Sequence, residues 1–590
     1  MNFKAAIANS LWFASSLPAL MRFQRALNHT AETQMRLLHD YIAQNADTAY
    51  GKAHDFGKIK TYEEFSRRVP LVNYDDLKPW IERIMCGENH VLTSEPVTHL
   101  IPTSGSSGAR KLIPFTAGLQ REFNCAIGPW VADIYRRHPS VALGTAYWSI
   151  SPAIQIQDAE SSAVPIGFDD DSSYLGGAKK RLVDSVMAVP CELRLVSDME
   201  QFRYLTLLCL LRQEDLRLIS IWHPSFLSLL LDALPACWED LLHDIESGRC
   251  RHSDSLRMPV LRSLNLRPMP QRAKKLKKTD PTKPETLWPF LKIISCWGDG
   301  NAELAIADLQ RRFPNATIQR KGLIATEAIV TIPFFDSRPL AVRSHFFEFL
   351  DEQGGVHLAH ELKENKIYEI VITTGGGLWR YRLQDQVQIT GFMGKTPSLR
   401  FLGRSQNISD RCGEKLSENF VAQSIQEAMT DLTLQPRFVL LAPDENHLGC
   451  HYTFYVEGEI RPDLASRLDA VLQKNPQYAW CRKLGQLNPL WLFQIKSGGY
   501  DAFVARELSE GRRLGEIKPC SLSSHTGWSQ CFSGNYLIPD DLPSYCKRID
   551  GANQQTFEEA AGIPTSLAPD IHKQIELRRA RNPRKSDVAN

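Results

Sequence analysis

Nine consecutive residues, Thr103-Ser104-Gly105-Ser106-Ser107-Gly108-Ala109-Arg110-Lys111, put hydroxyls, glycines and two cations into one short loop. A strand-like stretch, Val97 to Ile101, leads into it. Glycines permit positive φ and close backbone approach, while hydroxyls and amides donate to phosphate oxygens, so such a loop can wrap a polyphosphate. A Walker A loop is excluded: counting from Gly105, its second glycine would have to stand where Arg110 does. A flexible Ser/Gly linker has a similar composition. The loop alone leaves both readings open.

Four later stretches could join it. Thr326-Glu327 follows a strand-like run and offers a hydroxyl and a carboxylate, a pair able to hold Mg²⁺ or simply to cap a helix. Tyr381-Arg382-Leu383-Gln384-Asp385 ends a strand-like run on a carboxylate, which could accept two ribose hydroxyls or sit in a turn. Gly403-Arg404-Ser405, shortly before Gly413-Glu414-Lys415-Leu416, reads as a hinge or as a surface loop. Gly515-Glu516-Ile517-Lys518-Pro519 places Lys518 in a turn before a proline, where it is either aimed at a site or simply exposed. His357 and His360 lack a third ligand at a plausible spacing and read as loop histidines.

Composition narrows the setting. A chain of 590 residues exceeds what one core usually supports, so a large domain and at least one other are expected. The net charge of +2 predicts no general attraction to nucleic acid or to an anionic membrane. The 13 cysteines show no Cys-x-x-Cys pair, which points to free thiols in a reducing cytoplasm. Ala5 to Leu20 is interrupted by Asn9, Ser10, Ser15 and Ser16, and the pattern continues helically to Tyr41, so a packed amphipathic helix is expected rather than a signal peptide. The Lys-rich run at 271–283 has no interleaved aromatic platform and reads as a solvated loop.

The elements that must position these residues alternate in type. Residues 1–100 read as helices, with Thr61 and Asn73 as caps before Tyr62 and Tyr74. Helical stretches Leu119–Arg137, Met199–Arg212 and Phe226–Ile245 then alternate with strand-like Thr145–Ile150 and Leu218–Trp222, which implies α/β architecture. Leu291–Cys296, Ala316–Lys321, Phe346–Leu350, Ile367–Thr373, Gln386–Thr390 and Leu399–Leu402 are strand-length, the last four antiparallel in character, with Gly375-Gly376-Gly377 as a turn. After Arg404 the helices and strands read as an α+β module. The expected division is 1–404, a large domain with mixed sheets and helices; 405–570, a smaller α+β domain; and 571–590, a basic tail that should fray.

In their order, these stretches resemble the motifs of the adenylate-forming superfamily. Thr103–Lys111 is similar to its Thr-Ser-Gly-Ser/Thr-Ser/Thr-Gly-x-x-Lys phosphate loop, Thr326-Glu327 to its second motif, and Tyr381-Arg382 with Asp385 to its ribose motif. Gly403-Arg404 with Gly413 resembles its hinge, and Lys518 falls where its adenylation lysine stands. Within that group the chain resembles the plant acyl acid amido synthetases, the auxin- and jasmonate-conjugating Gretchen Hagen three family. The segments carrying this likeness include Val69–Pro79, Leu92–Pro96, Tyr381–Asp385 and Pro397–Arg404, and it runs from about residue 45 to 525. Departures are Leu323 for an aromatic residue near the adenine, Ala328 for the Gly after Glu327, and Gln384 for the Gly before Asp385.

The resemblance implies two steps. A carboxylic acid and ATP give acyl-AMP and pyrophosphate; an amino acid or other amine then attacks and AMP leaves. It assigns ATP binding to Thr103, Ser104, Gly105, Ser106, Ser107, Gly108, Lys111, Thr326, Asp385 and Arg404, the Mg²⁺ ligand to Glu327, and catalysis to Glu327 and Lys518. It also implies that the domain 1–404 binds ATP and an acyl acid and that the domain 405–570 is mobile. A coenzyme A or carrier ligase with a thiol acceptor, and a nucleotide-binding homologue without turnover, are the alternatives. Partners are then small molecules, with neither nucleic acid nor membrane.

Overall fold

A computed structural model describes residues 3–103, 111–150, 162–167, 177–299, 302–404, 408–430, 436–446, 449–461, 463–483, 486–510, 512, 517 and 520–537. All of them belong to one compact unit, Met1–Leu537. The expectation for a basic tail at 571–590 lies outside the described residues, as do residues 405–407 of the expected hinge.

The helical pattern from Ala5 to Tyr41 forms two helices, α1 (Phe3–Ala26) and α2 (Thr30–Gln44). The inner face of α1 buries Trp12, Leu20 and Phe23 in one cluster with Phe123, Trp130 and Tyr135 of the helix Ala117–Arg137. That approach is close: a Cβ on Gly128 would sit 2.8 Å from the Cβ of Ala19. The helices Tyr62–Arg68 and Tyr74–Met85 begin as expected, with Thr61 Oγ1 accepting from Glu64 N and Asp76 accepting from Asn73 N.

Two strands, β1 (His99–Thr103) and β2 (Lys111–Phe115), pair antiparallel, with Thr103 opposite Lys111. Next comes a parallel sheet of β3 (Thr145–Trp148), β4 (Leu216–Ser220), β5 (Ile293–Cys296) and β6 (Thr317–Arg320), in that order across the sheet. Parallel strands need long crossovers, which is why helices such as Met199–Arg212 lie between them and are almost wholly buried. The expected helix Phe226–Ile245 is two helices, Pro224–Ala233 and Trp238–Ser247, because Pro235 lacks the N–H that would continue it. The Lys-rich run is also helical at Pro270–Leu276 rather than a loop, with Lys275 and Lys277 paired to Glu214 and Glu246 on the surface.

An antiparallel sheet follows: β7 (Phe346–Leu350), β8 (Val356–Leu358), β9 (Ile367–Thr373), β10 (Tyr381–Met393) and β11 (Thr396–Arg404), in the order β11-β10-β9-β7-β8. Gly375–Gly377 makes the turn from β9 into β10, with Gly377 at φ 90°. A short hairpin of β12 (Ile408–Ser409) and β13 (Leu416–Ser417) comes next. Glu414 is fully buried there and accepts from the amides of Arg411 and Cys412 and from Tyr452 OH. The remaining sheet, β14 (Phe438–Asn446), β15 (Gly449–Glu457), β16 (Trp491–Ile495) and β17 (Gly534–Leu537), carries the helices Glu418–Thr430, Leu464–Leu472 and Gly499–Ser509. This α+β region has its own core, with Val421, Phe454, Leu468 and Tyr478 in one cluster.

Candidate active site

Polar side chains collect where the parallel strands stop. Ser149 follows β3, Trp222 and His223 follow β4, Trp297 follows β5 and Lys321 follows β6, and all five line one cleft of about 830 Å³. The carboxyl ends of parallel strands are the usual ligand site of open α/β sheets, because chain direction reverses there and the loops are free to vary. Much of the cleft wall is apolar, with Ile150, Phe226, Leu229 and Ile324 among its residues. Lys321 is buried, and its ammonium lies 4.9 Å from the centre of the Trp222 ring. Beneath it, burial pushes the Cys296 thiol up to about 12, with Lys321 and Arg320 pulling the other way.

The far wall comes from the C-terminal region: Tyr500, Val504 and Ile517. The Tyr500 ring stacks on His223 at 6.1 Å and 14°, and Arg203 donates to Asp501 at 2.8 Å. Ile517 is the chain neighbour of Lys518, which lies outside the described residues.

Beyond Ile324 the chain turns back on itself. Ala325 N donates to Ala328 O at 2.9 Å, and Ile324 bridges Ile329, so Thr326 and Glu327 occupy the tip of a tight hairpin next to the cleft wall. A buried network anchors that hairpin. Ile329 N donates to His345 Nε2 at 3.1 Å, which leaves the imidazole proton on Nδ1, and Nδ1 donates to Glu122 at 2.8 Å. Glu122 also accepts from Tyr41 OH and from Gly375 N, while Thr116 donates to Gly375 O. The Thr326–Glu327 turn and the turn ahead of β10 are thereby fixed to one helix.

Thr103 and Lys111 close the glycine-rich loop as paired residues of β1 and β2; Ser104, Gly105, Ser106, Ser107 and Gly108 lie outside the described residues. Lys111 Nζ donates to Tyr381 OH at 3.4 Å, and Val72 bridges Tyr381, with its N–H donating to Arg380 O. Asp385 is buried on β10 directly opposite Arg404 of β11. Residues more than 250 positions apart in the chain therefore meet around Tyr381. Arg382 is not part of this set; Glu369 takes it in a two-pronged pair at 2.7 and 3.0 Å.

The departures from the motif pattern have structural correlates. Gln384 has φ 62°, a left-handed conformation that glycine adopts freely and glutamine does not, at a break in the β9–β10 register. Leu323 is buried in the core among residues such as Trp297 and Tyr381, whereas its neighbours Gly322 and Ile324 line the cleft. The aromatic surfaces of the cleft include Trp222, Phe226, Trp297 and Tyr500 instead. Sequence reasoning missed Ser149, His223, Lys321 and Tyr500. The one signal available for the first three was their place at or just past the end of a strand-like run; Tyr500 carried none.

The chain matches the GH3 family N-terminal domain over residues 19–318, the GH3 family central domain over 339–404 and the GH3 family C-terminal domain over 418–526. It belongs to the GH3 family. The indole-3-acetic acid-amido synthetase GH3.17 of Arabidopsis thaliana is 26% identical over 82% of this chain and 90% of its own. The jasmonoyl–L-amino acid synthetase GH3.5 of Oryza sativa subsp. japonica is 24% identical over 84% and 93%. The structure of the acyl acid amido synthetase AtGH3.15 in complex with 2,4-DB superimposes with a TM-score of 0.76 at 21% identity, covering 86% of this chain and 94% of that one. The fold is accordingly that of the GH3 acyl acid amido synthetase structure. Among the described residues no group of three or more His, Cys, Asp or Glu could hold a metal by itself. On the hairpin, Thr326 and Glu327 could offer a hydroxyl and one carboxylate to a hard cation that takes its other ligands from phosphate oxygens and water, which is the habit of Mg²⁺.

Proposed function

We propose that this GH3 protein is an ATP-dependent acyl acid amido synthetase, activating a carboxylic acid as acyl-AMP and passing the acyl group to the amine of an amino acid. The observation that carries this is the apolar-walled cleft across the carboxyl ends of β3–β6, directly continued by the hairpin that holds Thr326 and Glu327. An apolar cleft receives the acid's carbon skeleton, while the hairpin and the β1–β2 loop face the phosphates.

A carboxylate is a poor electrophile, and transfer onto the α-phosphate of ATP makes its oxygen a leaving group. Thr103, Ser104, Gly105, Ser106, Ser107, Gly108 and Lys111 hold the phosphates through hydroxyls, amides and one ammonium. Asp385 accepts from the ribose hydroxyls, with Arg404 beside it on the next strand and Thr326 completing the ATP site. Mg²⁺ bound at Glu327 supplies charge neutralisation on the phosphate oxygens. Lys518 donates to the α-phosphate oxygens, where negative charge accumulates. Residues 405–570 act as a mobile domain. This is supported by the position of Ile517 on the cleft wall next to Lys518, and by the His223–Tyr500 and Arg203–Asp501 contacts at the cleft, which side-chain rotation can separate. The free thiols suit a cytoplasmic setting.

The test is acid-dependent pyrophosphate release across aryl, indolyl and fatty acids, repeated with each amino acid and with a pantetheine thiol. Amide products are expected. Thioester products, or ATP binding without pyrophosphate release for any acid, would overturn the assignment. Glu327→Gln keeps the shape but loses the charge, and should raise the Mg²⁺ requirement and lower turnover sharply.

A further inference from the structure

The first helix has one apolar face too many. Its inner face is packed, yet Phe3, Ile7, Leu11 and Met21 are exposed, at 71, 60, 54 and 62% of their surface. Together with exposed Ala14 and Pro18 they recur every three or four residues, so they form one stripe down a helix of 24 residues, about 36 Å long. Most of this stripe precedes residue 19, where the match to the family's N-terminal domain begins. The charges on α1 are Lys4, Arg22 and Arg25; the helix contains no Asp or Glu. All three cations are exposed, and none forms an ion pair with a described residue. Lys4 and Arg22 border the stripe and Arg25 continues it, on a wheel of 3.6 residues per turn.

We propose that the outer face of α1 docks on an anionic lipid bilayer. An apolar stripe on a helix whose only charges are cations is the pattern of a helix lying in the plane of a membrane surface, where the apolar groups enter the headgroup–acyl boundary and the cations meet lipid phosphates. The helix lies on the bilayer rather than crossing it, since among the described residues none is long and apolar enough to span. A second copy of the chain is the poorer occupant. Antiparallel pairing of two α1 helices would bring Lys4 of one toward Arg22 and Arg25 of the other with no acid to compensate, and Pro18 interrupts the seam. The net charge of +2 conceals this local imbalance.

Flotation of the full-length protein with vesicles tests it, using phosphatidylcholine alone and an equal mixture with phosphatidylglycerol, at low and high salt. Binding to the mixed vesicles, weakened by salt and absent from phosphatidylcholine, is expected. Ile7→Glu with Leu11→Glu should lower that binding at least about tenfold, because charges enter the stripe. Both side chains are exposed, so the melting temperature and pyrophosphate release in solution should stay at the wild-type level. Arg22→Glu with Arg25→Glu should remove the salt-sensitive part. Failure of the wild type to bind either vesicle, or equal binding by the Ile7/Leu11 variant, overturns the proposal. So does a wild type that sediments as a dimer while that variant is a monomer and neither binds lipid, which would make the face a self-association surface.

Discussion

His345 is the residue on which the hairpin bearing Thr326 and Glu327 depends, and two substitutions separate what it does. It is fully buried, donates from Nδ1 to Glu122 and accepts at Nε2 from Ile329 N. His345→Asn keeps a donor near the Nδ1 position and loses the acceptor, so only the Ile329 amide is orphaned; an unsatisfied buried donor costs about 1–3 kcal/mol. His345→Phe loses both bonds. Removing a hydrogen bond to a charged group costs about 1.5–3 kcal/mol more, so the phenylalanine variant should be destabilised by about 2.5–6 kcal/mol in all. The ring also has to fit beside Phe123 and Phe347, each 5.9 Å away centre to centre, which leaves little room for relief. Urea denaturation followed by tryptophan fluorescence and circular dichroism measures the loss. The Mg²⁺ concentration for half-maximal pyrophosphate release then separates positioning from mere stability. His345→Asn should raise it more than a core truncation of equal stability cost placed far from the hairpin. Two outcomes would refute the reasoning: a phenylalanine variant within about 0.5 kcal/mol of wild type, or a Mg²⁺ dependence identical to that of the stability-matched control.

Arg380→Met should cost about 3–5 kcal/mol by calorimetry or urea titration, because it strands the buried carboxylate of Glu348, which otherwise holds the guanidinium through Nε and Nη2. Gln384→Gly should stabilise the fold or leave it unchanged, gaining up to about 1 kcal/mol from relief of the left-handed backbone less the entropy of glycine; denaturant midpoints decide, and a clear loss would mean that the contact with Asn73 matters more. Lys518→Ala should lower acid-dependent pyrophosphate release by a factor on the order of 10², while amide formation from a supplied acyl-adenylate stays nearly intact. Equal loss of both steps would point to damage of the C-terminal region instead.

Local chemistry was readable from the chain itself. Thr61 with Glu64, and Asn73 with Asp76, announce helix starts because their side chains satisfy amides within one turn, so nothing distant is required. Four of the five strands of the antiparallel sheet were legible in the same way, as was the turn at Gly375–Gly377; β8 was not, and His357, read as a loop histidine, lies on it opposite Phe349. The order of short motifs was also enough to indicate the family, since each motif is a few contiguous residues that can be read without knowing the fold. What the linear sequence could not supply was which distant residues share a space. The cleft takes one or two residues from the end of each of four parallel strands, and those strands are separated by crossovers of very different length. No spacing rule links Ser149 to Lys321. Glu122 looked like an ordinary polar residue of a helix, and only packing turned it into the acceptor for Tyr41, Gly375 and His345. Likewise the substitution of Gln384 read as a chemical departure, whereas its consequence is conformational and lies in a φ of 62° that the break in strand register imposes. Contacts within a turn are set by covalent geometry and side-chain type, which sequence contains; contacts across hundreds of residues are set by how whole sheets and helices bury their apolar faces against one another, and that is a property of the folded chain.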